Sequence, residues 1–319
     1  MADFRAPTGD QLFALEVVAD LTELSALPGF EDATPEMAEQ ILAESARLAE
    51  QGFAPLNAVG DREGARLVDG KVVLPDGFAE AYRDYAAAGW NGLAADPAHG
   101  GQGLPFALSV AVQEQFTAAN MAFSLCPMLS LSAIEALQAH GDPAMQALYL
   151  PHLVTGDWTG AMQLTEPQAG SDVGALRSTA TPAGDGTYRL KGQKIFITWG
   201  EHDLAENIVH MVLARLPDAP AGSKGVSLFL VPKYLLDAQG RHPWRPAHVH
   251  FMISASGYQQ LVTHIFADGD QYLDSDVVFG VKDSLIRMFA ARPAGVAPDG
   301  RILDAPFHHL NYDFGLTPA

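Results

Sequence analysis

The spacing of hydrophobic residues changes twice along this 319-residue chain, and each change announces a different kind of structure. Up to residue 157 the spacing is helical. Thr34 as N-cap, Pro35 at the first helical position, Met37, Ile41 and Leu48 at helical intervals and Gly52 as a stop predict one helix. Asp76 and Gly77 precede a second, through Tyr82 and Tyr85 to Gly89, and Pro105, Pro127 and Pro143 each mark the start of another. From 158 to 236 the period shortens. Runs at Tyr188 to Leu190, Lys194 to Thr198, Ile208 to Ala214 and Val226 to Val231 alternate with turns at 183–186 and 217–223, which predicts a β domain, a barrel or a sandwich. From 237 to 319 a third texture follows: polar Asp237 to His242, Pro243 to Pro246, a run from Val262 to Phe266 and a last one near Tyr312 to Leu316. Six of the eleven histidines lie there, a shift expected of a segment of different origin. The expected fold is therefore multidomain α+β: an all-α N-terminal domain, a β-barrel middle domain and a partial β-sandwich tail.

Composition narrows the function. With 48% hydrophobic and 18% charged residues the chain is expected to fold rather than stay disordered. A formal charge of −19, from 38 acidic against 19 basic residues, repels nucleic acid and anionic membrane surfaces, and no basic patch offsets it. The longest apolar runs, such as Val226 to Pro232, fall short of the roughly 20 residues of a membrane helix, and Met1 to Asp10 has no basic-then-apolar leader, so a cytoplasmic location is expected. The lone Cys126 excludes an internal disulfide and a thiolate cluster built from one chain.

Two segments carry the first chemical signal. Met162, Gln163, Leu164, Thr165, Glu166, Pro167, Gln168, Ala169, Gly170, Ser171 and Asp172 end a strand in a Pro/Gly-bounded turn, whose successive N–H groups suit a phosphate. Alone, this is the pattern of an ordinary β-turn capped by Ser and Asp. In Gly192 to Thr198, Phe196 and Thr198 share one face of a predicted strand, an aromatic ring beside a hydroxyl. Alone, that is core packing.

Together, in this order, the two segments resemble the middle domain of the acyl-CoA dehydrogenase family, with its Thr-Glu-Pro, two residues, Gly-Ser-Asp signature, and the likeness extends over most of residues 1–236, including Tyr85 to Trp90 and Gly100 to Pro105. The wording looks like the subfamily with long N-terminal extensions, acting on medium- or long-chain or sulfur-containing acyl thioesters. The resemblance implies bound FAD, with Met162, Leu164 and Thr165 lining the flavin ring, Gly170 and Ser171 at the pyrophosphate and thioester side, and Phe196, Ile197 and Thr198 on the other flank. It also implies that the catalytic glutamate comes from a C-terminal four-helix domain, which nothing after Leu236 resembles. No dehydrogenase base is thus expected in these residues, Glu166 being part of the turn, and the chain alone is expected to be inactive.

The second signal is His248 and His250, two residues apart in Arg245 to Phe251, a spacing that puts both on one face of a strand. An arbitrary His-x-His is more often a pair of surface or core histidines. Residues Gly240 to Phe251, Ser254 to Tyr258, Tyr272 to Ser284 and the ending Leu310 to Ala319 resemble the C-terminal part of intradiol ring-cleaving dioxygenases, the hydroxyquinol and catechol enzymes especially. That likeness implies His248 and His250 as two of four ligands to ferric iron, Arg245 as the catalytic cation, and His264 where many members carry glutamine. The family's two tyrosinate ligands have no counterpart, Tyr188 and Tyr234 being expected to pack on strands.

Three readings follow: an FAD-dependent dehydrogenase of an acyl-CoA thioester, an iron dioxygenase of a catechol-type molecule, and a non-catalytic fusion of two incomplete enzymes joined near residue 237. Uncovered sheet edges in the tail predict local disorder or association there, a homo-oligomer being one form of it. Asp268, Asp270, Asp274 and Asp276 lack the closing glutamate of an EF-hand and are expected in a solvated loop.

Overall fold

The computed structural model describes residues 4–234, 248–259, 261–270, 273 and 283–318. The chain divides into two compact units, residues 1–239 and 240–319.

The first unit opens with helices α1 (Thr8–Phe13), α2 (Leu21–Ser25) and α3 (Pro35–Leu48). Helix α3 starts as predicted: the Thr34 hydroxyl accepts from the Met37 N–H at 3.3 Å and Pro35 follows. Gly52 does not stop it. The chain passes through a π-helical stretch, Ala49–Phe53, into α4 (Ala54–Glu63), and ends at Gly64 with φ +63°. Burial of Phe53, stacked on Phe123 with ring centroids 4.4 Å apart, outweighs the low helix propensity of Gly52. A hairpin of β1 (Arg66–Val68) and β2 (Lys71–Val73) interrupts the expected all-α stretch before α5 (Phe78–Ala87), α6 (Phe106–Ala119), α7 (Met121–His140) and α8 (Pro143–Thr155).

Pro127 lies inside α7 instead of opening a helix. The start is set upstream by Asn120, whose side chain accepts from the Phe123 N–H at 3.1 Å and donates to the Phe53 carbonyl at 3.2 Å. Serines and Pro127 break α7 into short apolar runs, yet by length and composition it is apolar enough to cross a membrane, which corrects the count made from continuous runs. Its buried side holds Phe123, Cys126, Ala133 and Leu137.

The strands that follow are β3 (Trp158–Gln163), β4 (Thr179–Pro182), β5 (Tyr188–Lys191), β6 (Asn207–Ala214) and β7 (Ser227–Pro232). They form an open sheet in the order β3-β6-β7, parallel then antiparallel, and a separate β4–β5 hairpin tied to it through a bridge from Thr179 to Arg215. The expected barrel is not closed among the described residues. Lys194 to Thr198, expected as a strand, runs irregularly with Phe196 (φ +56°) and Trp199 (φ +53°) left-handed, so no ladder is carried from β5 to β6. One sheet face packs on the helices: Val209 and Met211 join Ile134, Leu137, Leu150 and Leu153 in one cluster. Gly160 permits the approach, since a Cβ there would stand 2.7 Å from the Ala133 Cβ and 2.9 Å from the Leu129 carbonyl. Its N–H donates to the Ser130 hydroxyl at 3.0 Å.

In the second unit, β8 (His248–Ile253), β9 (Leu261–Ala267) and β10 (Ile286–Arg287) pair in the order β10-β9-β8. β11 (Ala290–Arg292) pairs with β14 (Phe307–His309), and β12 (Gly295–Val296) with β13 (Ile302–Leu303). The described part of the predicted sandwich thus consists of three small sheets.

Candidate functional site

The turn after β3 and the irregular segment after β5 lie side by side. The Ile195 N–H donates to the Thr165 carbonyl at 3.0 Å, and Lys194 Nζ donates to the Leu164 carbonyl at 3.1 Å and to Glu166 Oε1 at 2.8 Å. Glu166 also accepts from the Arg177 N–H (2.6 Å), the Ser178 N–H (3.0 Å) and Gln168 Nε2 (2.7 Å). The carboxylate and the ammonium are almost fully enclosed, their side chains 3% and 7% exposed. Burial opposes ionisation of Glu166, but Lys194, Ser178 and the backbone donors outweigh it and bring its pKa down to about 2.

Around this buried pair the predicted contact residues face outward. Leu164, Gly170, Ser171 and Thr198 are exposed, Thr165 and Ile197 half-buried, and Phe196 is 87% exposed. A bulky residue with left-handed backbone is strained, and here the strained residue displays a bare ring beside the Thr165 arm. Met162 is placed differently: it is half-buried and packs against the cluster shared with the helices. No protein acceptor among the described residues takes the N–H of Gly170 or Ser171, and a Cβ on Gly170 would meet nothing within 4 Å. Free N–H donors, an exposed ring and exposed hydroxyls fit a flat heteroaromatic cofactor carrying phosphates.

The loop behind this turn is clamped by Arg215. Its guanidinium donates to the carbonyls of Leu176 (3.1 Å), Pro220 (2.9 Å), Gly222 (2.8 Å) and Gly174. Gly225 makes the crossing possible, because a Cβ there would stand 1.8 Å from the Pro220 carbonyl.

Two histidines are interior. His202 Nδ1 accepts from the Leu204 N–H at 3.1 Å, so the proton sits on Nε2 and is donated to the Thr159 hydroxyl at 3.0 Å. His210, on β6, accepts at Nδ1 from Gln163 Nε2 at 2.8 Å. Burial pushes both imidazoles down to about 4, helped at His202 by His210 and Lys233 and at His210 by Lys233. Trp199 spans from this region to α7, donating from its indole nitrogen to the Ala122 carbonyl at 2.9 Å.

None of the Glu166, Lys194, Arg215 or His202 partnerships was anticipated from sequence. Lys194 and Glu166 stand 28 positions apart, and Arg215 and Gly174 stand 41, with no local period to connect them. A groove of about 700 Å³ between α3 and α5, lined by Met37, Ile41, Leu48, Trp90 and Leu93 among others, includes none of the predicted residues.

In the second unit, positions 248 and 250 stand two apart along β8, and the register sets 264 of β9 directly opposite 250. The two side chains on β8, and all of Arg245, Tyr272, Asp274 and Asp276, lie outside what is described. Tyr188 and Tyr234 do pack as expected: Tyr188 meets Phe229 edge-on at 5.1 Å between centroids, and Tyr234 lies 6.3 Å from Trp158.

Comparison with known proteins finds three family matches, two of which overlap between residues 230 and 255. Residues 35–157 match the acyl-CoA dehydrogenase N-terminal domain, residues 161–255 the acyl-CoA dehydrogenase middle domain, and residues 230–318 a dioxygenase domain. The 3-methylmercaptopropionyl-CoA dehydrogenase of Ruegeria pomeroyi is 48% identical over 237 residues, 74% of this chain and 40% of that protein. The hydroxyquinol 1,2-dioxygenase of Nocardioides simplex is 51% identical over 86 residues, 27% of this chain and 29% of that protein. The butyryl-CoA dehydrogenase structure from Megasphaera elsdenii shares the fold, with a TM-score of 0.51 at 22% identity, covering 72% of this chain and 55% of that one. The chain therefore spans less than half the length of these two curated relatives.

Proposed function

Because the chain belongs to the acyl-CoA dehydrogenase family through its N-terminal and middle domains and continues into a dioxygenase C-terminal domain, we propose that residues 1–236 form an FAD-binding module of the acyl-thioester dehydrogenase type. The observation that carries this reading is the pairing of the two motif arms through the Ile195 to Thr165 hydrogen bond, with Phe196 exposed beside them. Leu164, Thr165, Phe196, Ile197 and Thr198 would hold the ring, with Met162 behind them, and Gly170 and Ser171 the pyrophosphate. Bound flavin supplies hydride acceptance from the β-carbon of an acyl-CoA. Glu166, the carboxylate buried between the two arms, cannot take the α-proton: it has four donors and a pKa of about 2, so its basicity is spent. These residues accordingly bind and orient cofactor and thioester, without dehydrogenating on their own.

The test is to add FAD to the purified chain, pass it through gel filtration and record the absorption spectrum. Flavin bands that travel with the protein are the expected result; a colourless protein peak sinks the proposal. A second reading rests on the facing positions 250 and 264 beside 248 in β8 and β9, an arrangement that supports ferric iron binding with Arg245 as the cation acting on a catechol-type ring. A broad visible band on adding iron supports it.

A further inference from the structure

We propose that the buried pair of Glu166 and Lys194 is a positioning brace that locks the Leu164–Thr165 arm to the Lys194–Thr198 arm and keeps the Phe196 ring displayed for the cofactor, an inference that rests on the flavin reading above. The geometry is specific. A single ammonium holds the Leu164 carbonyl and the Glu166 carboxylate at once, at 3.1 and 2.8 Å, so one side chain ties its own segment to two residues of the other. The carboxylate end is anchored in turn to the backbone at 177 and 178, the start of the chain's path into β4. Among the described residues, the one backbone hydrogen bond between the arms is that from Ile195 to Thr165, too little to hold irregular chain by itself.

Phe196 stands two residues beyond the ammonium, left-handed and 87% exposed. Such a conformation persists only where its surroundings over-determine it. The ring itself is not packed into the core, so the restraint comes from the neighbouring backbone, and Lys194 and Ile195 supply it. Neither charged group touches the outward face, which identifies them as positioning residues rather than contacts.

The test compares wild type with Lys194→Met, Lys194→Arg and the double variant Glu166→Gln/Lys194→Met. The double variant retains an acceptor for one of the 177 and 178 N–H groups without burying a lone charge, and so serves if Lys194→Met fails to fold. Three readouts are taken at one pH: the urea midpoint, the FAD dissociation constant from flavin fluorescence, and chymotryptic cleavage after Phe196. In the folded uncoupled variants the expected results are FAD binding weakened at least tenfold and cleavage after Phe196 accelerated at least tenfold. Lys194→Arg stays within about threefold of wild type on both counts, because it retains the charge and the donors. A folded uncoupled variant that binds FAD as tightly as wild type and is cut no faster overturns the brace while leaving the flavin reading intact. A wild type that does not bind FAD overturns the flavin reading, and the brace then stands or falls on whether the folded uncoupled variants are cut faster after Phe196.

Discussion

At the scale of single residues, three buried titratable groups divide the acid stability of the first unit into two windows. His202 and His210 fall from 6.5 to about 4, so the unfolded chain takes up protons before the folded one does. Their neutral state is fully compatible with folding above pH 6.5, and stability is lost as the pH falls from 6.5 towards 4, at roughly 3 kcal/mol per imidazole if the whole shift is expressed. Glu166 acts lower. Its pKa is depressed from 4.5 to about 2, so its contribution is present above 4.5 and lost between 4.5 and 2. Urea unfolding of wild type, His210→Gln and Glu166→Gln from pH 7.5 to 3 checks this: the first variant reduces the loss in the upper window to about that of His202 alone, the second flattens the lower. A wild-type profile level between pH 6.5 and 4 contradicts the burial of the two imidazoles.

At the scale of elements, the contact that sets the sheet against the helices is the crossing of β3 over α7. It depends on Gly160, beneath which Ala133 and the Leu129 backbone leave no room for a side chain. Gly160→Val is expected to lose about 1–3 kcal/mol through overpacking, since the near neighbours are a helix backbone and a methyl group that cannot rotate aside. Thermal unfolding measures it. Gly170→Ala is the control, because the space there is open, and equal losses in the two variants would contradict the close approach.

For the whole molecule, the described residues of the two units differ in how much core they hold. Residues 1–239 hold two clusters, one around Phe53, Phe116 and Phe123 and one joining α7 and α8 to β6. Among the described residues of 240–319, only Ile265, Phe266 and Ala297 are buried hydrophobics. A fragment ending at Gln239 is therefore expected to unfold in urea as one cooperative transition, and a fragment of residues 240–319 to show none, since small sheets without a shared core are marginal. Circular dichroism of the two fragments decides it; a cooperative transition in the tail fragment alone would reverse the assignment.

Local signals in the sequence already determined where the helices start at Thr34, Pro105 and Pro143, where the period shortens near Trp158, and which two motifs carry the family likeness, because caps, periods and turn residues act within a few positions of each other. Gly52 and Pro127 gave misleading signals, since burial of Phe53 and capping by Asn120 override local propensity. Tertiary structure alone decided that Phe196 turns left-handed instead of joining a strand, that the sheet is not closed among the described residues, and that Glu166, Lys194, Arg215 and the two interior histidines find their partners. The physical reason is separation along the chain: a charge or an imidazole is buried only where a partner from a distant segment meets it, and no periodicity in one dimension encodes that meeting.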